Sequence, residues 1–254
     1  MSLAIESMCV WHGSRAAVRE VTVQASAGSI VAVIGRNGSG KSSLVRAVAG
    51  VHAGRRSGTV SWCGRDIARL PAVDRARCVA YVAQRPVVAA DFTARQVIEL
   101  AGAVIPRSAV HVDLAIDALG VHELVDRPFA ALSGGEQQRV VLARAFAQHE
   151  LGGLLVLDEP FNAMDLAEQH RVAGALQCLA GAGSLVLIVL HDLALADALA
   201  HEVWWMDGGQ LRSSGSRETV LREEALAEGF GVAFERVDGS LRPIVAPRCD
   251  PLTG

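Results

Sequence analysis

The chain has 254 residues, is 51% apolar and carries a formal net charge of −3. That length and apolar content allow one large or two modest cored domains and exclude a disordered chain. The slightly acidic balance excludes a strongly basic nucleic-acid binder, and no apolar run nears the about 20 residues of a membrane span.

Elements follow in chain order. Leu3–Trp11 and Val18–Ala25 alternate as strands, and Ile30–Ile34 is a fully apolar run expected of a strand buried on both faces. A glycine-rich loop leads from it into a helix, Leu44–Val51. Thr59–Cys63 and Cys78–Ala83 read as further strands. From about Thr93 to Gln148 the period becomes helical: Thr93 with Gln96 matches a capping box, Ala109–Leu119 is amphipathic, and Ser133–Gln148 starts Ser-Gly-Gly-Glu. Strands return at Leu154–Leu157, Leu185–Leu190 and Val203–Met206, with helices at Leu166–Leu179 and Leu193–Leu199 between them. The tail predicts a helix at Arg222–Ala227 and a strand pair near Ala233–Val237 and Pro243–Val245. Strands alternating with helices predict an α/β fold with a largely parallel core sheet. Five scattered cysteines, with no metal-like spacing, predict reduced structural thiols.

Gly35-Arg-Asn-Gly-Ser-Gly-Lys41-Ser42 fits G-x-x-x-x-G-K-[ST] between a strand and a helix. Gly35, Gly38 and Gly40 let the backbone turn around an anion so that the N–H groups of Asn37, Ser39 and their neighbours point inward. The following helix N-terminus, with Ser43, adds its positive end. Lys41, the sole lysine beside 23 arginines, would meet the β- and γ-phosphates, and Ser42 would give its hydroxyl to Mg²⁺. Leu154–Leu157 then ends in Asp158-Glu159-Pro160. After a phosphate cradle, Asp158 reads as a Mg²⁺ partner and Glu159 as the general base for water; in isolation the same tripeptide is an ordinary turn.

Leu132-Ser133-Gly134-Gly135-Glu136-Gln137-Gln138-Arg139 resembles the signature of ABC-type ATPases. Its physical content is a second anion site at a helix N-terminus, although Ser133 and Glu136 also make a capping box. The resemblance covers about residues 3–245. It implies a P-loop NTPase (RecA-like) core sheet at 1–85 and 151–215, an N-terminal antiparallel β region, a helical signature subdomain inserted at 86–150 and a short extension at 216–254. It also implies that Gln84 touches Mg²⁺ and water, that His191 meets the γ-phosphate, and that Asp165 is the acid of Asn162-Ala163-Met164-Asp165. Where the family's adenine-stacking Tyr falls stands His12, with Trp11 beside it; either ring could stack.

In such proteins the cradle of one ATPase unit faces the signature helix of another. The resemblance therefore implies an ATP- and Mg²⁺-using head-to-tail homodimer on the cytoplasmic face of the cell membrane. It implies polytopic permease subunits, a substrate-binding protein in the wider system and no nucleic acid. The stretches Gly64–Pro71, Ala76–Gln84, Leu190–Ala196 and Thr219–Val232 are similar to the iron-siderophore, haem and cobalamin importer group. The alternatives are another ABC importer, an exporter or a soluble non-transport ABC ATPase.

Overall fold

The structure, a computed structural model, describes residues 1–85, 88, 91–103 and 109–244. Its elements in order are β1 (Ser2–His12), β2 (Arg15–Ser26), β3 (Ile30–Ile34), α1 (Lys41–Val48), β4 (Arg56–Trp62), β5 (Arg65–Asp66), α2 (Ala72–Cys78), β6 (Val79–Val82), α3 (Ala94–Glu99) and α4 (Ala109–Leu119). Then come α5 (Gly134–Gln148), β7 (Leu154–Asp158), α6 (Leu166–Gly181), β8 (Leu185–Val189), α7 (Leu193–Leu199), β9 (Glu202–Asp207), β10 (Gln210–Ser216), α8 (Arg217–Val220), α9 (Glu223–Phe230), β11 (Phe234–Val237) and β12 (Ser240–Pro243).

A six-stranded sheet runs β10-β9-β3-β8-β7-β6. All its neighbours pair in parallel except the edge strand β10 on β9. An antiparallel sheet, β2-β1-β4-β5, packs above it. Side-chain alternation along the central strands divides the interior in two. Val31, Val33, Val156 and Leu187 face α1 and the antiparallel sheet, where Leu44, Val48, Ile5, Val10 and Trp62 are buried. Ile30, Ala32, Leu155, Leu157 and Ile188 face the opposite core, built with α3–α7. Strands covered on both faces must be apolar throughout, which is why β3, β7 and β8 read as unbroken hydrophobic runs. Each fully buried Val, Leu or Ile contributes about 1.5–3 kcal/mol.

Thr93 accepts from the Gln96 N–H while Gln96 accepts from the Thr93 N–H, so the predicted box caps α3. Four expectations shift. The first helix begins at Lys41 rather than Leu44 and ends at Val48. Cys78 ends α2 instead of opening a strand; α2 buries none of its residues, so it shows no apolar stripe. Strand β10 was not expected, because an edge strand with every second residue exposed can be as polar as a loop. In the tail, the turn at Asp238 and Gly239, both at positive φ, closes a two-residue hairpin. That hairpin puts the last strand at Ser240–Pro243 rather than Pro243–Val245, and Val245 lies outside the described residues.

The tail is tied down. Leu241 is 1% exposed, Phe230 stacks on Trp205 with centroids 5.1 Å apart, and Arg236 grips Asp197 of α7 through bonds of 2.7 and 3.1 Å. Among the described residues Cys9, Cys63, Cys78 and Cys178 are free thiols, and no helix is long and apolar enough to cross a membrane.

Candidate active site

The site lies beyond the carboxyl ends of adjacent parallel strands, the usual place for ligands in an α/β sheet. The loop from β3 runs under α1, β7 delivers Asp158 and Glu159, and His191 follows β8. Two glycines fix the loop. At Gly35 (φ +144°) a β-carbon would lie 2.1 Å from the Met206 carbonyl oxygen, and at Gly40 (φ +100°) 2.3 Å from that of Ala17. Only glycine allows such approaches at these dihedrals. The Gly209 N–H holds the loop by donating to the Ser39 carbonyl at 3.0 Å.

A cleft of about 530 Å³ opens over this loop, within the size range of small-ligand sites. His12, Asn37, Gly38, Gly40, Lys41, Ser42, Ser43, Glu159 and His191 line it, together with Arg15 and Arg19. Gly35 and Ser39 of the same loop are buried and do not line the cleft. Lys41 is 5% exposed, and its ammonium donates to the carbonyls of Gly35 at 2.8 Å and Arg36 at 3.0 Å. Burial pulls it below the usual lysine range, an effect Glu159 and Asp158 partly offset.

Asp158 is fully buried. Its Oδ1 accepts from the Ser42 hydroxyl at 2.8 Å and its Oδ2 from Arg46 at 3.3 Å. Burial pushes its carboxyl up, while the bond from Ser42 and the charge of Arg46 pull the other way. Hydroxyl and carboxylate oxygens brought together at the phosphate loop fit a hard divalent cation such as Mg²⁺.

Glu159 sits at φ +53°, an uncommon conformation for a non-glycine residue, which turns its side chain off the strand. Three donors converge on it. Gln84 reaches Oε2 at 2.6 Å, Asn162 reaches Oε2 at 2.8 Å, and His191 Nε2 lies 2.5 Å from Oε1. Burial raises this carboxyl, but the bonds from Asn162, His191 and Gln84 outweigh it and leave Glu159 below the usual range. An ionised carboxylate in the cleft, aimed by three side chains, can accept a proton from water.

The remaining expected residues do not line the cleft. Successive residues of β1 point to opposite faces, so His12 enters the cleft, with Nε2 2.9 Å from the Ser43 hydroxyl, while Trp11 lies outside it beneath the Arg55 guanidinium, 4.5 Å away. Ser133 and Glu136 form a reciprocal capping box on α5, and Arg127 donates to Glu136 at 2.8 Å. Asp165 and Glu168 do the same on α6. A β-carbon on Gly135 would lie 2.4 Å from the Ala163 carbonyl oxygen, so the two capped helix starts abut, with Gly134 facing Ala163 at 3.8 Å.

Sequence reading missed Arg46, although it stands one helical turn after Ser42 and so shares its face. It placed Asn162 in a loop without seeing its bond to Glu159. Arg19 donates to the carbonyl of Gly208, 189 residues away, which no local pattern signals.

The sequence pattern of the family described as ABC transporter matches residues 18–162. The "Hemin import ATP-binding protein HmuV" of Rhodococcus jostii (strain RHA1) is 36% identical over 261 residues, covering 98% of this chain and 87% of the relative. The chain belongs to the ABC transporter family. It is an ATP-binding domain of that family and an ATP hydrolase. Two solved structures share the fold. One, provisionally assigned as a metal-chelate type ABC transporter in an inward-facing conformation, has a TM-score of 0.78 at 23% identity, over 96% of this chain and 98% of that one. The other, a dimeric ATP-binding cassette in a post-hydrolysis state with ADP and Pi, has a TM-score of 0.75 at 19% identity, over 85% and 98%.

Proposed function

We propose that this ABC ATPase powers a haem importer. The observation that carries the cargo is the nearly end-to-end likeness to a hemin import ATP-binding protein. The tail and the segments Gly64–Pro71 and Ala76–Gln84, similar to the metal-chelate importer group, agree with it.

Within the site, Lys41, Asn37, Ser39, Ser43 and the backbone at Gly35, Gly38 and Gly40 hold the ATP phosphates, and His12 meets the base. Ser42, Asp158 and Gln84 would hold Mg²⁺, which would neutralise charge on the phosphates when bound. Glu159 takes the proton of the attacking water, and Gln84 and His191 orient it. Ser133, Gly134, Gly135, Glu136 and Asp165 lie away from the cleft of their own chain. This supports a head-to-tail pair in which each signature helix completes the partner's site. The working assembly is two copies on the cytoplasmic face of the membrane, bound to polytopic permease subunits through the 86–150 helical subdomain and supplied by a substrate-binding protein.

The test is to copurify the membrane partner, reconstitute the complex in liposomes and measure haem accumulation with ATP. ATP-dependent haem uptake that is lost with Glu159→Gln is expected. A complex that moves cobalamin or a siderophore but not haem overturns the cargo. A chain that never associates with a membrane protein overturns the importer.

A further inference from the structure

We propose that Arg46 is a tethered counter-cation for Asp158, one that competes electrostatically with the divalent metal and loosens its hold. The inference rests on the reading of Ser42 and Asp158 as the metal site and adds a residue that neither the signature motifs nor the comparisons assign.

Asp158 is wholly buried at the end of β7. A carboxylate removed from water needs a compensating charge or hydrogen bonds. One turn of α1 supplies both: Ser42 donates to Oδ1 and, four residues on, Arg46 to Oδ2. The Arg46 side chain is 39% exposed, so its guanidinium keeps partial contact with solvent while it pairs with the wholly buried Asp158. Two cations are coupled to Asp158: Arg46 bonds it directly, whereas the Lys41 ammonium donates to the carbonyls of Gly35 and Arg36; Glu159 is the neighbouring anion.

A divalent cation bound by Ser42 and Asp158 adds two positive charges beside this guanidinium. Arg46 and the metal then draw on the same carboxylate and repel each other. Arg46 stabilises the metal-free protein and weakens the metal-bound one. The consequence is a site that releases metal with the spent nucleotide more readily than Ser42 and Asp158 would alone.

The probe is Mn²⁺, titrated into the full chain at saturating ADP, with free Mn²⁺ read by electron paramagnetic resonance. Arg46→Met keeps the aliphatic stem and removes the charge. It should bind Mn²⁺ about tenfold more tightly, the order expected for deleting one unit charge near a divalent ion at partial exposure. Arg46→Gln, which keeps a hydrogen-bond donor and tests the same point if the methionine variant fails to fold, should shift in the same direction. Arg46→Lys should stay near the parental value. The melting temperature without metal should fall in Arg46→Met and recover with Mn²⁺ and ADP. Unchanged or weaker Mn²⁺ binding in both neutral variants overturns the proposal, as does an Arg46→Lys value matching them. Asp158→Asn separates the two levels. If it leaves Mn²⁺ affinity at the parental value, the metal-site reading fails; if it weakens binding while the Arg46 variants do not tighten it, only the role of Arg46 fails.

Discussion

Gln84 and Glu159, 75 residues apart in sequence, meet through a 2.6 Å hydrogen bond. Gln84 stands at the end of β6 and Glu159 at the end of β7, and these strands are parallel neighbours. The bond ties the Glu159 carboxylate in the cleft to a residue that stands just before the helical segment.

Glu159→Gln keeps the shape and the hydrogen-bonding capacity of this side chain but not its basicity. ATP hydrolysis should fall by about 10²–10⁴-fold, the usual worth of a general base, while ATP binding persists. The variant should sediment as a dimer with MgATP, and adding Ser133→Arg should return it to monomer. A monomeric Glu159→Gln protein at high concentration contradicts the composite site; parental hydrolysis contradicts the base.

The carboxyl of Glu159 is held below the usual range in the folded state, because its three donors outweigh burial. Its ionised form therefore adds stability that is fully present above the unfolded glutamate pKa of about 4.3 and is lost as pH falls through the lower folded value. Urea unfolding of the parent and of Glu159→Gln between pH 3.5 and 7 should show a difference that is constant near neutrality and shrinks only on the acid side.

His12 and Trp11 should separate cleanly. His12 lines the cleft, whereas Trp11 lies under Arg55. His12→Ala should weaken ATP binding by about 1–3 kcal/mol, the worth of a base–aromatic stack, and Trp11→Ala should not. Calorimetric titration decides it; equal losses would return adenine to both rings.

Gly134 is exposed and Gly135 buried, and a methyl group would meet different neighbours at each. At Gly135 it would strike the Ala163 carbonyl at 2.4 Å, and at Gly134 it would touch the Ala163 side chain at an ordinary 3.8 Å. Gly135→Ala should cost about 1–3 kcal/mol by overpacking, and Gly134→Ala should be tolerated in urea unfolding.

Arg236→Met should cost about 1.5–3 kcal/mol, because it leaves Asp197, with only 10% of its side chain exposed, without its charge-assisted bonds. Urea unfolding measures it. A neutral result would make the C-terminal hairpin an ornament rather than part of the fold.

The sequence alone determined the parts whose cause is local. Ile30–Ile34, Leu154–Leu157 and Leu185–Leu190 had to be doubly covered strands, since nothing in them tolerates water. Thr93 with Gln96 and Ser133 with Glu136 had to cap helices, because the bonding groups lie three residues apart. The glycines around Lys41 predicted a tight loop able to cradle an anion, because their spacing lets the backbone take dihedrals closed to other residues. Tertiary structure alone decided the rest, where the partners are distant in the chain. Strand alternation at β1 chose His12 over Trp11 for the cleft. The neighbouring strands β6 and β8 brought Gln84 and His191 to Glu159 at the end of β7. One face of α1 laid Arg46 against Asp158, 112 residues away. Local patterns carry period and capping because those are set by bonds within a turn, whereas the assembly of a site depends on which strands become neighbours, and that is set by burial across the whole sheet.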